Sequence, residues 1–270
     1  MSPGSFEESV RVRRGDVGIH VSQWGAGPPL VLLHGLGTSS ALWKHQIGPL
    51  GAHLRLVALD LRGFGRSSRP TAPGAYAIAE MAADVVAVLD QLGLERAHLL
   101  GASMGGFVAQ VVATLHPARV DRLVLAQTSA RMTIPRDIVE SRIAVLRRDP
   151  MERYAELVAA QALAQPADPA VQRWLVGILA RNDARAYEQV LVEGLGRFDW
   201  TDRCREIEAP ALVVVGGRDL VIPPEGGRDL ARRLPHAALV ELPNVGHIGY
   251  AEDPSAFNAS VLRFLQEVAA

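Results

Sequence analysis

Short apolar runs alternate with longer amphipathic segments along most of this chain. Continuously apolar runs are typical of strands buried on both faces of a sheet, and they predict strands near 54–59, 97–100, 120–125, 211–215 and 238–242. Between them, apolar residues recur at helical spacing, which predicts helices near 40–50, 78–92, 104–116, 225–234 and 254–268. The alternation predicts the α/β fold class, a mostly parallel sheet flanked by helices.

Two stretches depart from this rhythm. Residues 19–24 and 29–33 flank the turn-forming sequence Gly-Ala-Gly-Pro at 25–28, which predicts an antiparallel hairpin. From 129 to 205 the chain has amphipathic segments but no convincing strand, and so long a stretch is unlike a simple loop. We therefore predict a helical cap over 129–205, inserted after the sixth strand, and a core domain formed by 1–128 and 206–270.

Composition and charge exclude several classes of function. The 270 residues are 49% hydrophobic, enough for a sizeable core, and 28 Lys and Arg against 29 Asp and Glu give a net charge of −1. No basic block is present, so we expect neither nucleic acid nor a membrane surface as partner. The chain has a single cysteine, Cys204, a polar start at 1–14 and no apolar run of bilayer length. These features favour a cytoplasmic protein.

A candidate nucleophile lies between a predicted strand and a predicted helix. The sequence Gly-Ala-Ser-Met-Gly at 101–105 matches the tight strand-turn-helix that lifts a serine above the edge of a sheet. Small residues two positions before and after Ser103 let the strand and the helix approach each other. The alternative is a glycine-rich turn with an ordinary serine, and the flanking strand and helix argue against it.

An oxyanion hole needs two N–H groups that face the nucleophile. The strand at 29–33 runs into the small-residue loop His-Gly-Leu-Gly-Thr at 34–38. The candidate donors are the backbone N–H groups of Leu36 and of Met104, the residue after the nucleophile. For His34, directly before the glycine loop, we predict a structural role rather than that of a base.

The acid and the base are expected at strand ends after the serine, because reacting groups collect at that edge of an α/β sheet. Asp219 follows the apolar run 211–215, and His247 lies in a glycine-containing loop after 238–242. The order Ser, Asp, His is that of the α/β-hydrolase triad. His236 and Asp229 are weaker candidates, since we expect both at the surface.

Four blocks in order resemble the α/β-hydrolase fold over nearly the whole chain. They are 34–37, 60–67, 101–106 and the pair formed by 217–219 with 246–247. Within that fold, 60–67, 101–106 and 125–129 are most similar to the 3-oxoadipate enol-lactonases and the related cofactor-free haloperoxidases or perhydrolases. The resemblance implies a Ser103, Asp219 and His247 triad with Leu36 and Met104 as oxyanion donors. The chain departs from the enol-lactonases at 159–164, where it lacks their aromatic residues.

The predicted activity is hydrolysis of a small carboxylic ester or lactone through an acyl-enzyme, with no metal or organic cofactor. A serine nucleophile argues against haloalkane dehalogenases and epoxide hydrolases. In those families, which resemble this chain, an aspartate stands at the position that matches Ser103. A perhydrolase, a carbon–carbon bond hydrolase or a lyase could use the same triad. A ligand receptor with very slow turnover is the alternative from a different class.

Overall fold

The computed structural model describes residues 8–132 and 135–266, which form one eight-stranded sheet in the order β1-β2-β4-β3-β5-β6-β7-β8. In this spatial order, each strand from β4 through β3 to β8 is parallel to its neighbour, whereas β2 runs antiparallel to both β1 and β4. The predicted fold class is confirmed. The strands are β1 Glu8–Arg14, β2 Val17–Trp24, β3 Pro29–Leu33, β4 Arg55–Asp60, β5 Ala97–Ala102, β6 Val120–Ala126, β7 Ala211–Gly216 and β8 Ala237–Leu242.

Helices cover the sheet and fill the long interval between β6 and β7. They are α1 Lys44–Gly51, α2 Ile78–Gln91, α3 Met104–Leu115, α4 Arg136–Arg148, α5 Met151–Ala162, α6 Pro169–Leu179, α7 Ala184–Gln189, α8 Pro224–Arg233, α9 Gly249–Glu252 and α10 Pro254–Gln266. The last two residues of the helix predicted over 254–268 lie outside the described residues. No described helix is long and apolar enough to cross a bilayer.

The interval predicted as a cap contains helices α4 to α7. Within its described residues the only β pairing is an isolated bridge between Arg131 and Asp199. This agrees with the predicted lack of strands. The division of the chain into a core domain and a cap domain stays a prediction.

The predicted hairpin between residues 19–24 and 29–33 is wrong, because β4 lies between β2 and β3 in the sheet. A Cβ atom at Gly25 would overlap the carbonyl oxygens of Gly51 and Leu54. The glycine-rich connection therefore packs under the end of α1 and the start of β4, which carries the chain past one strand position. Turn residues show that the chain bends there, but they do not show which strand becomes the neighbour.

Strand β1 was not predicted from the sequence. Its residues are mostly polar, and Val12 is the one that is buried. An edge strand of this kind has one neighbour and little apolar surface to bury. Its pattern therefore resembles that of an exposed loop.

The 60–67 block joins the loops that follow β3 and β4. The Asp60 carboxylate accepts hydrogen bonds from the N–H of Ser40 at 2.7 Å and of Arg66 at 2.8 Å. Gly65 has φ +53°, and a Cβ there would overlap the same carboxylate. The block thus holds the 34–40 loop at the edge of the sheet where the candidate site lies.

The same block carries a buried ion pair to α2. The guanidinium of Arg62, which is 2% exposed, donates to both carboxylate oxygens of Asp84 at 2.6 Å. Asp84 also accepts from Arg14 of β1 at 2.8 Å. This pair connects the loop after β4 with a helix and with the edge of the sheet.

Replacing Asp84 by Asn should lower the free energy of unfolding by about 3 kcal/mol, because it leaves a buried guanidinium without its full counter-charge. The carboxylate of Glu80, 3.5 Å from Arg62, leaves part of the counter-charge in place and should keep the loss from being larger. The measurement is urea denaturation. The control is Glu241→Gln, which removes an exposed partner of Arg228 and should cost less than about 1 kcal/mol. Equal losses for the two variants would contradict the stabilising role given to the buried pair.

Candidate active site

Ser103 lies at the turn between β5 and α3 in a backbone conformation that side chains rarely adopt, with φ 52° and ψ −116°. The N–H of Ser103 donates to the Ala126 carbonyl at 2.9 Å, and the Thr128 hydroxyl donates to the Ser103 carbonyl at 2.9 Å. Bonds to the end of β6 therefore hold both sides of the strained residue. Such strain is typical of functional sites and persists only where the surroundings enforce it.

The glycines on both sides of Ser103 are required by contact. A Cβ at Gly101 would overlap the Gly105 carbonyl oxygen, and a Cβ at Gly105 would overlap the carbonyl oxygen of Leu33 in β3. At Gly106 a Cβ would lie 2.6 Å from the Thr128 side chain. The start of α3 therefore packs directly against the ends of β3 and β6.

The structure brings the three predicted triad residues together. The distance between Ser103 Oγ and His247 Nε2 is 2.9 Å, and that between His247 Nδ1 and Asp219 Oδ2 is 2.7 Å. With the proton on Nδ1 donated to the carboxylate, Nε2 is free to accept from the serine hydroxyl. The side chains of His247 and Asp219 are 8% and 1% exposed, so the hydrogen bond between them is shielded from water.

The other oxygen of Asp219 is also held. Its Oδ1 accepts from the N–H of Val221 at 2.8 Å and of Ile222 at 2.9 Å. These bonds fix the carboxylate in the loop after β7. Both Val221 and Ile222 also line the cavity beside the serine.

The weaker candidates lie elsewhere. His34 is fully buried, its Nδ1 donates to the Gly35 carbonyl at 2.7 Å, and its Nε2 accepts from the Leu61 N–H at 2.9 Å. Burial lowers the pKa of His34, so it is neutral and connects the loops after β3 and β4. His236 is exposed, and Asp229 forms an exposed ion pair with Arg233 at 2.6 Å.

The 34–38 loop passes directly over the serine. A Cβ at Gly35 would lie 3.3 Å from the Cβ of Ser103, and Gly35 and Leu36 line the cavity with Ser103. Met104 is the first residue of α3, so its N–H has no acceptor within the helix. Both predicted oxyanion donors are therefore close to the nucleophile.

A cavity of about 80 Å³ opens from Ser103 and His247 between the sheet edge and helices α4 to α7. Its wall is largely apolar. The lining residues outside the triad and the 35–38 loop are Phe107, Met132, Arg142, Val158, Gln161, Ala162, Leu175, Leu179, Tyr187, Leu191, Leu195, Val221, Ile222, Ile248 and Tyr250.

Comparison with known proteins agrees with this geometry. A family model described as alpha/beta hydrolase fold matches residues 28–160, and one described as TAP-like protein matches residues 199–269. The putative carbamate hydrolase RutD of Caulobacter sp. (strain K31) is 35% identical over 255 residues, which cover 89% of this chain and 91% of that protein. The chain belongs to the α/β-hydrolase family.

Two enol-lactonases are also similar to this α/β-hydrolase. The 3-oxoadipate enol-lactonase 2 of Acinetobacter baylyi is 30% identical over 263 residues, covering 91% of this chain and 92% of that protein. The crystal structure of the enol-lactonase from Burkholderia xenovorans LB400 superposes with a TM-score of 0.88 at 30% identity and covers 96% of this chain and 100% of that one. The predicted resemblance to enol-lactonases is confirmed.

Glu252 of α9 is a residue of the site that sequence reasoning missed. Its carboxylate accepts from the N–H groups on both sides of His247, from Gly246 at 3.0 Å and from Ile248 at 3.2 Å. Its second oxygen accepts from the Ala164 N–H at 2.8 Å. Burial raises the pKa of Glu252, while these three N–H groups act in the opposite direction. Glu252 thus joins the histidine loop to the end of α5.

Nothing in the local sequence marks this role. Glu252 lies five positions after His247, at the end of the short helix α9 and just before α10. The contact with Ala164 is made across 88 positions of the chain. Only a motif that linked the positions on either side of His247 to a carboxylate further along the chain could have revealed the role of Glu252.

Replacing Glu252 by Gln should lower kcat by about tenfold or more, because small displacements of a catalytic group are costly. An amide has one acceptor oxygen, so at least one of the three N–H groups would face its NH2 group. The measurement is steady-state hydrolysis of a p-nitrophenyl ester, together with the rate at which a serine-directed phosphonate labels Ser103.

The matched control is Asp253→Asn at the next position. Asp253 is exposed and caps α10 by accepting from the Ala256 N–H at 3.0 Å, a role that Asn can also fill. This variant should keep both rates. A folded Glu252→Gln protein with wild-type kcat and labelling rate would show that the histidine loop holds its place without the carboxylate.

Proposed function

We propose that this α/β-hydrolase cleaves a small carboxylic ester or lactone through an acyl-enzyme on Ser103. The observation that supports this most directly is the line of hydrogen bonds from Asp219 through His247 to Ser103, at 2.7 and 2.9 Å. It ends at an apolar cavity where a substrate carbonyl can meet the serine oxygen. Residues in this order and geometry are those of acyl transfer.

In the first half-reaction, His247 Nε2 accepts the hydroxyl proton as Ser103 Oγ attacks the carbonyl carbon. The carbonyl oxygen becomes an oxyanion, which the N–H groups of Leu36 and Met104 stabilise. As the tetrahedral intermediate collapses, the bond to the alcohol oxygen breaks, and His247 gives its proton to that oxygen. Asp219 accepts the hydrogen bond from Nδ1 of His247 and stabilises the imidazolium.

In the second half-reaction, water takes the place of the alcohol. His247 removes a proton from water, and the hydroxyl oxygen attacks the acyl carbon of the ester on Ser103. The collapse returns the proton to Ser103 Oγ and releases the carboxylic acid. A lactone follows the same steps, except that the freed hydroxyl group stays on the acyl chain, so that the product is a single hydroxy acid.

Carbamate hydrolysis is the second candidate, because the relative at 35% identity is a putative carbamate hydrolase. A carbamate carbonyl is less electrophilic than that of an ester, and hydrolysis of a carbamate ester gives an alcohol and a carbamic acid, which breaks down to an amine and carbon dioxide. The same nucleophile, base and oxyanion donors would act on it. A substrate panel that pairs esters, lactones and carbamates of equal size separates the two candidates.

We also propose that residues 129–205 form a cap that decides which substrates fit over a core made by 1–128 and 206–270. Leu175 and Leu179 of α6 and Tyr187 of α7 line the cavity. Phe107 and His247 face it from the rest of the fold. The cytoplasmic location stays a prediction that rests on residue usage alone.

Ser103→Ala should reduce ester hydrolysis to background while the protein stays folded, and mass spectrometry of the wild type should find the acyl group on Ser103. His247→Ala and Asp219→Asn should each lower kcat by about 10³-fold or more, as in other triads. His236→Ala is the control histidine variant and should keep wild-type turnover, because the residue is exposed.

Three outcomes would contradict this assignment. A Ser103→Ala protein that retains a tenth of the wild-type rate would exclude Ser103 as the nucleophile. Turnover with no acylated Ser103 would favour a lyase. Faster transfer of the acyl group to hydrogen peroxide than to water at equal concentration would favour a perhydrolase.

A further inference from the structure

The cavity beside Ser103 contains one permanent positive charge. Among the described residues that line it, Arg142 of α4 is the only Lys or Arg, and none is an Asp or Glu. The rest of the wall is largely apolar, and the exposed bond from Arg142 to Gln161 places the guanidinium on the solvent-facing side of the cavity. An anion in this cavity would therefore interact with Arg142 more strongly than with any other lining side chain.

None of the described carboxylates pairs with the guanidinium of Arg142. It is half-buried, and its Nη2 donates to the side-chain oxygen Oε1 of Gln161 in α5 at 3.1 Å. Three other arginines of α4 and α5, Arg147, Arg148 and Arg153, each pair with a carboxylate. A guanidinium carries five N–H donors, so Arg142 keeps donors for a ligand after its bond to Gln161.

The contact with Gln161 places this charge close to the triad. Gln161 is followed by Ala162, whose carbonyl accepts from the backbone N–H of His247 at 2.7 Å. Gln161, Ala162 and His247 all line the same cavity. Arg142 and the reacting serine can therefore contact two groups of one small substrate.

We propose that Arg142, oriented by Gln161, is an anion-binding subsite that selects esters or lactones bearing a second, negatively charged group such as a carboxylate. The planar fork of the guanidinium matches the two oxygens of a carboxylate. The substrate anion supplies the counter-charge that the cavity lacks. This inference rests on the proposed function for its substrate, but the binding of an anion in the cavity does not require turnover.

The first test compares substrates that differ in charge alone. The probes are p-nitrophenyl monoesters of adipic, pimelic and suberic acid, each paired with the same compound methylated at its free carboxyl group. We expect the wild type to prefer the anionic member of at least one pair in kcat/KM. Arg142→Gln should lower that preference by about tenfold or more, as expected for loss of a charge-assisted hydrogen bond.

Two further variants separate a specific contact from general charge. Arg142→Lys keeps the charge without the fork and should lose part of the preference. Arg148→Gln removes an exposed arginine of the same helix and should leave the preference unchanged. A wild type without any preference, or a folded Arg142→Gln protein that keeps it, would overturn the subsite.

The second test measures binding without chemistry. In a Ser103→Ala background, calorimetry with monomethyl adipate and dimethyl adipate should show tighter binding of the anion, and adding Arg142→Gln should lower its affinity by about tenfold. Binding that depends on Arg142, together with a wild-type protein that hydrolyses none of the esters, would support the subsite and contradict the proposed function. Ester turnover with no dependence on Arg142 in either test would contradict the subsite alone.

Discussion

The site depends on the close packing of α3 against the ends of β3 and β6. Gly105 touches the Leu33 carbonyl so tightly that no side chain fits, and Ser103 is held at φ 52° by hydrogen bonds to Ala126 and Thr128. The energy of the strained backbone is supplied by the packing of the surrounding strands and helix. The same packing places the N-terminus of α3 next to the 34–38 loop. The position of α3 against β3 therefore affects the proposed nucleophile and both proposed oxyanion donors together.

The histidine is held by different parts of the fold. Its ring contacts Asp219 from the loop after β7, while its backbone N–H donates to Ala162 at the end of α5. Glu252 bonds the N–H groups on both sides of it and also that of Ala164. The segment between β6 and β7 therefore helps to position the proposed general base as well as to wall the cavity. Substitutions at the end of α5 are expected to affect chemistry and substrate choice together.

The electrostatics of the cavity differ from those of the outer surface. Exposed arginines of α4 and α5 are neutralised by nearby carboxylates, and the net charge of the chain is close to zero. At the cavity, Arg142 has no such partner among the residues that the structure describes, and its neighbours Gln161 and Tyr187 are neutral. An unbalanced charge beside a nucleophile, in a largely apolar wall, gives the site a means of choosing substrates by charge as well as by shape.

Sequence alone determined the fold class, most strands and helices, and the three residues that meet at the site. It could do so because buried parallel strands are continuously apolar, and because the nucleophile, acid and base each follow a strand at the same edge of the sheet. Tertiary structure decided that β4 lies between β2 and β3 and that β1 forms the edge of the sheet. It also decided which N–H groups bond to Glu252, and that none of the described carboxylates pairs with Arg142. Each depends on which distant segments come into contact, as Ala164 and Glu252 do, and local patterns carry no record of such contacts.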